Sequence, residues 1–265
     1  MWGKRYIDYF TEVSLPTTLT PGNLEHLAKN SDSAYKLYTT PQDAKTLLGA
    51  DSFRRLEKLM PTEILPILPE ASLLRDKDKY YYMNCCHANA INSADGEQAL
   101  IFLTPEVLMA DGCVRHTLNL ASKGKRAVMI CGPRLILEEV VPELPKKVDG
   151  QIVLPPRTLV AIALRHLHPC TRSMVWNMNY VSSWPSCLYW LHEDGFTAHA
   201  FHLHPFMVWP RKGVEPPRNT IDDDFVLKAC QNAEDIELVG DSDDMCMFDS
   251  CPSAFDAPKV AIDIG

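Results

Sequence analysis

The sequence predicts an α/β domain in which a largely parallel sheet is flanked by helices, and three observations predict it. Short apolar runs of strand character alternate with segments of helical periodicity, the pattern of β-α-β units. Two of those runs, Ala99-Leu-Ile-Phe-Leu103 and the Ala127–Ile130 part of Lys125-Arg-Ala-Val-Met-Ile130, have the apolar character of strands covered on both faces. The chain also has 265 residues, 46% hydrophobic and 23% charged, which is ordinary for one large domain.

The elements follow in order. Tyr6, Ile7, Tyr9, Phe10 and Val13 share one face of a helix over 5–15, which Pro16 and the turn Thr20-Pro-Gly-Asn23 should end. Leu24 to Ala28 reads as a short helix and Tyr35-Lys-Leu-Tyr-Thr39 as a strand. Thr40-Pro41-Gln-Asp43 opens a helix to Leu48, with proline at the favoured first position. Ser52 to Leu59 is helical, and Thr62 to Leu68 is an apolar strand. Lys77 to Ser93 forms a long helix, then the 99–103 strand stops at Thr104-Pro-Glu106. Asp111-Gly112 starts a helix over 114–123, and the 125–130 strand ends at Gly132-Pro133. Arg134 to Glu143 and Leu159 to His166 are helical. Leu188 to Leu191 and Thr197 to His202 form strands joined by Asp194-Gly195. Ile236 to Val239 is the last clear strand. No repeat and no long linker divides the chain, so it is one domain over 1–265. The prolines and aromatics of 169–218 suggest a loop-rich insert or lid. The acidic stretch 240–265 stops at Ile264-Gly265 as if cut within a strand, which suits a lead into a further domain.

Composition removes several functions. A net charge of −8 argues against non-specific nucleic-acid binding, despite the small basic cluster Lys123, Lys125 and Arg126. No run reaches the length of a membrane span, and the N-terminus lacks the apolar stretch of a signal peptide. The nine cysteines have no framework or zinc-knuckle spacing, so they read as reduced thiols of a cytoplasmic protein. With 12 glycines there is no G-x-G-x-x-G after a strand, no phosphate loop and no G-x-S-x-G elbow.

The positive signals lie between His199 and Asp224. His202 and His204 are two apart, hence on one face of an extended segment. With Asp222, Asp223 and Asp224 about twenty residues on, they suit a divalent cation or a polar ligand. Glu106 just beyond a buried strand is a candidate oxygen ligand, with the bland alternative of a helix start. Asp111 reads as a turn or cap, and His166 and His168 repeat the spacing at a helix end. Asp222–Asp224 also suits a first helical turn after Asn219-Thr220, and Asp241, Asp243 and Asp244 follow the 236–239 strand. Trp176, Trp184, Tyr189, Trp190 and Trp209 can stack on sugars or bases, or simply pack together. Arg172 and Arg211 can meet phosphate.

Several of these blocks together resemble a known group. They are Trp2-Gly-x-x-Tyr6-x-Asp8-x-Phe10, Leu15-Pro16 with Pro21-Gly-Asn-Leu24, Tyr35-x-x-Tyr38-Thr39, and Phe102-Leu-Thr-Pro-Glu106 with Asp111-Gly112. Gly124-Lys-Arg-Ala-Val-Met129, Phe201-His-Leu-His-Pro205, Thr220-Ile-Asp-Asp-Asp224 and Asp241-Ser-Asp243 complete the set. Over most of its length the chain resembles bacterial glycosyltransferase-like proteins of the nucleotide-diphospho-sugar transferase type. The resemblance implies a GT-A-like (Rossmann-like) domain that binds a nucleotide sugar as substrate, with Thr39, Thr104, Glu106, Asp111, Arg172 and Trp209 around it. Where such enzymes carry Asp-x-Asp on a divalent metal (Mn or Mg), this chain has Thr104-Pro105-Glu106, leaving Glu106 as the acidic carry-over. His202 or His204 takes the place of a C-terminal metal histidine. One of Asp222, Asp223 and Asp224 would deprotonate a glycan or other hydroxyl acceptor. Two other readings compete: a metal-dependent hydrolase using the His and Asp clusters, and a non-catalytic carbohydrate-binding or scaffold module.

Overall fold

The computed structural model describes residues 1–67, 79–176, 185–217 and 221–254. Trp184, Asn219, Thr220, the end of the expected 62–68 strand, the start of the 77–93 helix and the segment from 255 on lie outside them.

The chain opens with a helical rod of three parts, α1 (Lys4–Tyr9), a π-helical stretch (Phe10–Ser14) and α2 (Leu15–Thr18). Pro16 does not stop it. Leu15 N–H bonds to the Phe10 carbonyl in the wide π register, and Pro16 has no N–H to offer Thr11. The Ser52 hydroxyl fills that vacancy, donating to the Thr11 carbonyl at 2.7 Å. The rod serves two cores. Ile7, Phe10 and Leu15 pack with Leu37, Leu47, Phe53 and Leu56, while Tyr9 and Val13 join Leu108, Leu135, Phe206 and Phe248.

Then follow α3 (Leu24–Asn30), β1 (Tyr35–Thr39), α4 (Pro41–Gly49), α5 (Asp51–Leu59), β2 (Thr62–Pro66) and α6 (Lys79–Ala94). The α4 start is as expected, with the Thr40 side chain accepting from Asp43 N–H. Next come β3 (Leu100–Ile101), β4 (Val107–Met109), α7 (Cys113–Ser122), β5 (Ala127–Ile130), β6 (Arg134–Ile136) and α8 (Leu137–Val140). The chain continues with α9 (Pro156–Arg165), α10 (Pro169–Arg172), β7 (Cys187–Leu191), β8 (Phe196–Ala200), β9 (His204–Val208), α11 (Asp223–Ala229), β10 (Ile236–Leu238) and β11 (Met247–Cys251).

The fold is α/β, but its sheets are mixed. β1 and β2 are a parallel pair. The four-stranded sheet has the order β10-β5-β9-β3. β10 is parallel to β5, whereas β9 is antiparallel to both β5 and β3. A third sheet, β4-β11-β6, joins β11 antiparallel to β4 and parallel to β6. β7 and β8 form the expected hairpin around Asp194-Gly195. The expectation of a mostly parallel sheet misses β9 and β11. β9 lies in the 169–218 stretch read as an insert, and it is an interior strand buried from Pro205 to Val208. Burial on both faces removes the polar alternation that announces a strand. The expected helix from Arg134 is also corrected, because 134–136 pairs with β11 and only then turns helical.

Two motifs from distant parts of the sequence lock together beside this core. Asn23, wholly buried, donates to Thr20 Oγ1 and the Ala110 carbonyl, both at 3.0 Å, and accepts from Val114 N–H at 3.1 Å. Asp111 Oδ1 accepts from Gly22 N–H at 2.7 Å. A Cβ on Gly22 would stand 2.6 Å from the Gly112 backbone nitrogen, so only glycine allows this approach.

Candidate metal centre

β3 and β5 both run out toward the edge of the sheet where β9 begins. His204, the first residue of β9, pairs with Ile130, the last of β5. The ladder shifts register between Val128 and Met129, a bulge at Phe206 two residues from His204. Such a bulge twists the strand and redirects the side chains beside it. The residues before β9 are held in turn, since Phe201 and His202 N–H both donate to the Ser186 carbonyl, at 2.9 and 3.1 Å. Asp222 arrives from the N-terminus of α11, which is seated under β9 by Phe225 and Val226 against Val208. Its side chain makes no capping bond to α11.

These three residues converge. One ligand atom from each of His202, His204 and Asp222 falls within 4.8 Å of the others. Asp222 Oδ1 is 3.3 Å from His202 Nε2 and 3.7 Å from His204 Nδ1, and the two imidazoles stand nearly perpendicular with centroids 5.1 Å apart. Asp223 Oδ1 lies 3.2 Å from His202 Nδ1, the other ring nitrogen. That is the carboxylate–histidine pairing that orients a metal-ligating imidazole. Desolvation where the ring packs on its neighbours, and then the adjacent His202, lower the His204 pKa against the pull of Asp249 and Asp222, although much of the side chain stays exposed. A neutral imidazole with a free lone pair is what a cation needs. Two imidazoles and a carboxylate suit zinc, manganese or iron, so the donor set fits a divalent ion.

Around the three ligands lie groups of both signs. Arg134 and Asp249 both act electrostatically on His204, and they are register partners on β6 and β11. Thr104 Oγ1 donates to Asp249 Oδ1 at 2.9 Å, which brings the end of β3 to the same place. Glu106 gives its carbonyl to both the N–H and the hydroxyl of Ser250, each at 3.0 Å. Ser250 in turn bonds the Tyr9 hydroxyl, whose pKa burial drives up. His87 of α6 lies edge-on to Phe102, with its Nδ1 buried and, among the described residues, without a hydrogen-bond partner. Burial, and then the Met1 ammonium, push its pKa down to about 4, while Asp222 draws it upward.

Of the candidates read from sequence, His202, His204, Asp222 and Asp223 come together, with Thr104 and Glu106 on the neighbouring strand end. Asp224 is an exposed residue of the first turn of α11. Thr39 is buried at the end of β1, its hydroxyl unpartnered among the described residues. Asp111 fixes Gly22 instead of facing the imidazoles. Trp209 lies at the far end of β9, about 17 Å from His204 by strand rise, with its Nε1 on the Gly96 carbonyl and Arg126 over its ring. Arg172 is exposed at the end of α10. His166 is bound between Glu139 and Glu143, at 3.0 and 2.7 Å, and His168 caps α10. Asp243 forms a bidentate pair with Arg157. Sequence reasoning missed His87, Arg134 and Asp249. Asp249 was masked by its place inside an unrecognised strand.

Comparison with protein-family models, with curated proteins and with solved structures gives no match. Among the described residues no helix is long and apolar enough to cross a membrane.

Proposed function

We propose that the chain is a glycosyltransferase of GT-A-like architecture, moving a sugar from a nucleotide-diphosphate donor to a hydroxyl acceptor. The observation that carries this reading is the convergence of His202, His204 and Asp222 where β3 and β5 end and β9 begins. Ligands of open α/β sheets bind beyond the carboxyl ends of the strands, and β3 and β5 both point there. In this reading His202, His204 and Asp222 hold a divalent cation, with Asp223 orienting His202. The cation, when bound, supplies positive charge against the departing diphosphate. Arg134 adds a fixed positive charge beside it, and Thr104 and Asp249 shape the adjoining wall. Asp222 then serves as a ligand, which leaves Asp224, exposed in the first turn of α11, as the candidate base for the acceptor hydroxyl.

The test is thermal stabilisation of the protein by UDP-, GDP-, CMP- and dTDP-linked sugars, with and without Mn²⁺ or Mg²⁺. One nucleotide class should stabilise the protein, more so with cation, and His202→Ala and His204→Ala should remove that added effect. Nucleotide binding that ignores both cation and histidines would overturn the reading.

A second reading has one observation in its favour. Trp176, exposed shortly after α10, lies beside Trp190 of β7 with ring centroids 6.0 Å apart. Such a pair is a stacking platform for a sugar ring, and binding of free glycans with no response to nucleotides would support a carbohydrate-binding module instead.

A further inference from the structure

A cleft of about 510 Å³ opens between α5 and the turn at residues 147–150, over the π-helical stretch and Pro16. It shares no lining residue with the candidate metal centre. Both of its walls are pinned to the N-terminal rod. On one side Ser52 of α5 donates to the Thr11 carbonyl at 2.7 Å. On the other, Ile152 N–H donates to the Pro16 carbonyl at 3.0 Å, and Lys147 pairs with Glu12. Asp149 and Gly150, with φ of 48° and 72°, form the tight turn between the bridged residues Val148 and Gln151.

The charges in this cleft do not all cancel. Arg54 is paired with Asp51, as Lys147 is with Glu12. Arg55 and Lys58 have no ion pair or hydrogen bond among the described residues, which leaves two cations against the carboxylate of Asp149. Ser52, Arg55 and Lys58 follow at intervals of three along α5, so they share the face turned to the cleft. Arg55 is half-buried, and its guanidinium lies against the bare backbone of Gly150. A Cβ there would stand 3.0 Å from Arg55 Nη1 and 3.2 Å from Cζ. A guanidinium already held in this way has less rotamer freedom to lose when a ligand arrives.

We propose that the cleft binds a small phosphorylated molecule, its phosphate held by Arg55 and Lys58. The guanidinium fork matches two phosphate oxygens, and the ammonium adds a point charge beside it. The volume lies within the usual range for small-molecule sites, roughly 300–1,000 Å³, and leaves room for more than the phosphate group. The whole chain carries a net charge of −8, so attraction for an anion has to be local. The inference is independent of sugar transfer and tests separately from it.

The experiment titrates the full chain with inorganic diphosphate in a calorimeter, at constant ionic strength and with a chelator present to remove divalent ions. Saturable binding of one diphosphate per chain is expected, with citrate binding more weakly. Arg55→Gln and Lys58→Gln, each folded by circular dichroism, should weaken it about tenfold. Lys123→Gln, which removes the same charge from an exposed position outside the cleft, should leave it unchanged. The proposal falls if millimolar diphosphate gives no saturable binding, or if citrate binds equally well. It falls equally if Lys123→Gln weakens binding as much as the cleft variants do, or if His204→Ala abolishes binding while the cleft variants retain it.

Discussion

His87 gives the protein a dependence of stability on acid that can be isolated by one substitution. Its imidazole packs half-buried against Phe102, its Nδ1 is buried and unpartnered among the described residues, and its pKa falls from 6.5 to about 4. The unfolded chain takes up a proton near pH 6.5 and the folded chain resists until about pH 4, so between these values the unfolded state binds more protons. The stability due to the neutral ring is therefore complete above the unfolded pKa and is lost as pH falls toward the folded one. A difference of roughly 2.5 units at about 1.4 kcal/mol each amounts to about 3.5 kcal/mol, of which about 2.5 is gone by roughly pH 4.5. The assay is urea unfolding of the wild type and of His87→Leu at several pH values from about 7 to 4.5. Leucine keeps apolar bulk against Phe102 and abandons no Nδ1 hydrogen bond. The Met1 amine, lowered by burial to about 6, and His204 act with the same sign in both proteins and cancel in the comparison. The wild type should lose about 2.5 kcal/mol more than the variant over this range. Parallel pH profiles for the two proteins would refute the reasoning.

Three further outcomes follow from the geometry. A divalent ion at about 100 times its dissociation constant should add about 2.7 kcal/mol of stability to the wild type, and Asp222→Asn or His204→Ala should remove most of it in a thermal melt. Asn23→Ala should cost about 3 kcal/mol in chemical denaturation, because it strands the Val114 N–H and the Ala110 carbonyl inside the core. Asp111→Asn weakens the bond from Gly22 and should lower stability by about 1 kcal/mol while leaving cation-induced stabilisation intact. A lost cation response in that variant would place Asp111 at the metal centre after all.

How much of this was legible in the sequence differs from element to element. β1 ends where its alternation ends, and α4 starts at its threonine cap and first-turn proline, because those signals act over a few residues. β9 was hidden because a strand buried on both faces in a mixed sheet has the composition of a loop-rich aromatic segment. β6 was read as helix because three strand residues run directly into helical ones, and pairing with residues 249–251 alone decides the matter. The metal candidates His202 and His204 were found from their spacing, although only His204 lies in a strand, and the turn held by Ser186 brings in the other. Asp222 was read as one of three candidate bases because sequence shows a carboxylate but not its distance to an imidazole. His87 left no local mark at all, since its burial depends on Phe102 and the N-terminus.

The order in which strands enter the two main sheets bears on how the chain folds as it is made. β3 and β5 are synthesised early, yet the strand between them in space, β9, comes about eighty residues after β5. β4 and β6 likewise wait for β11. A nascent chain that has reached only residue 200 carries four short apolar strands whose edges have no lawful partner, the state in which edge-to-edge association is most probable. Folding of both sheets is thus completed from the distal part of the chain. The strand that inserts between β3 and β5 is also the one that carries His204, so closure of the central sheet is what brings this imidazole to the candidate cation site.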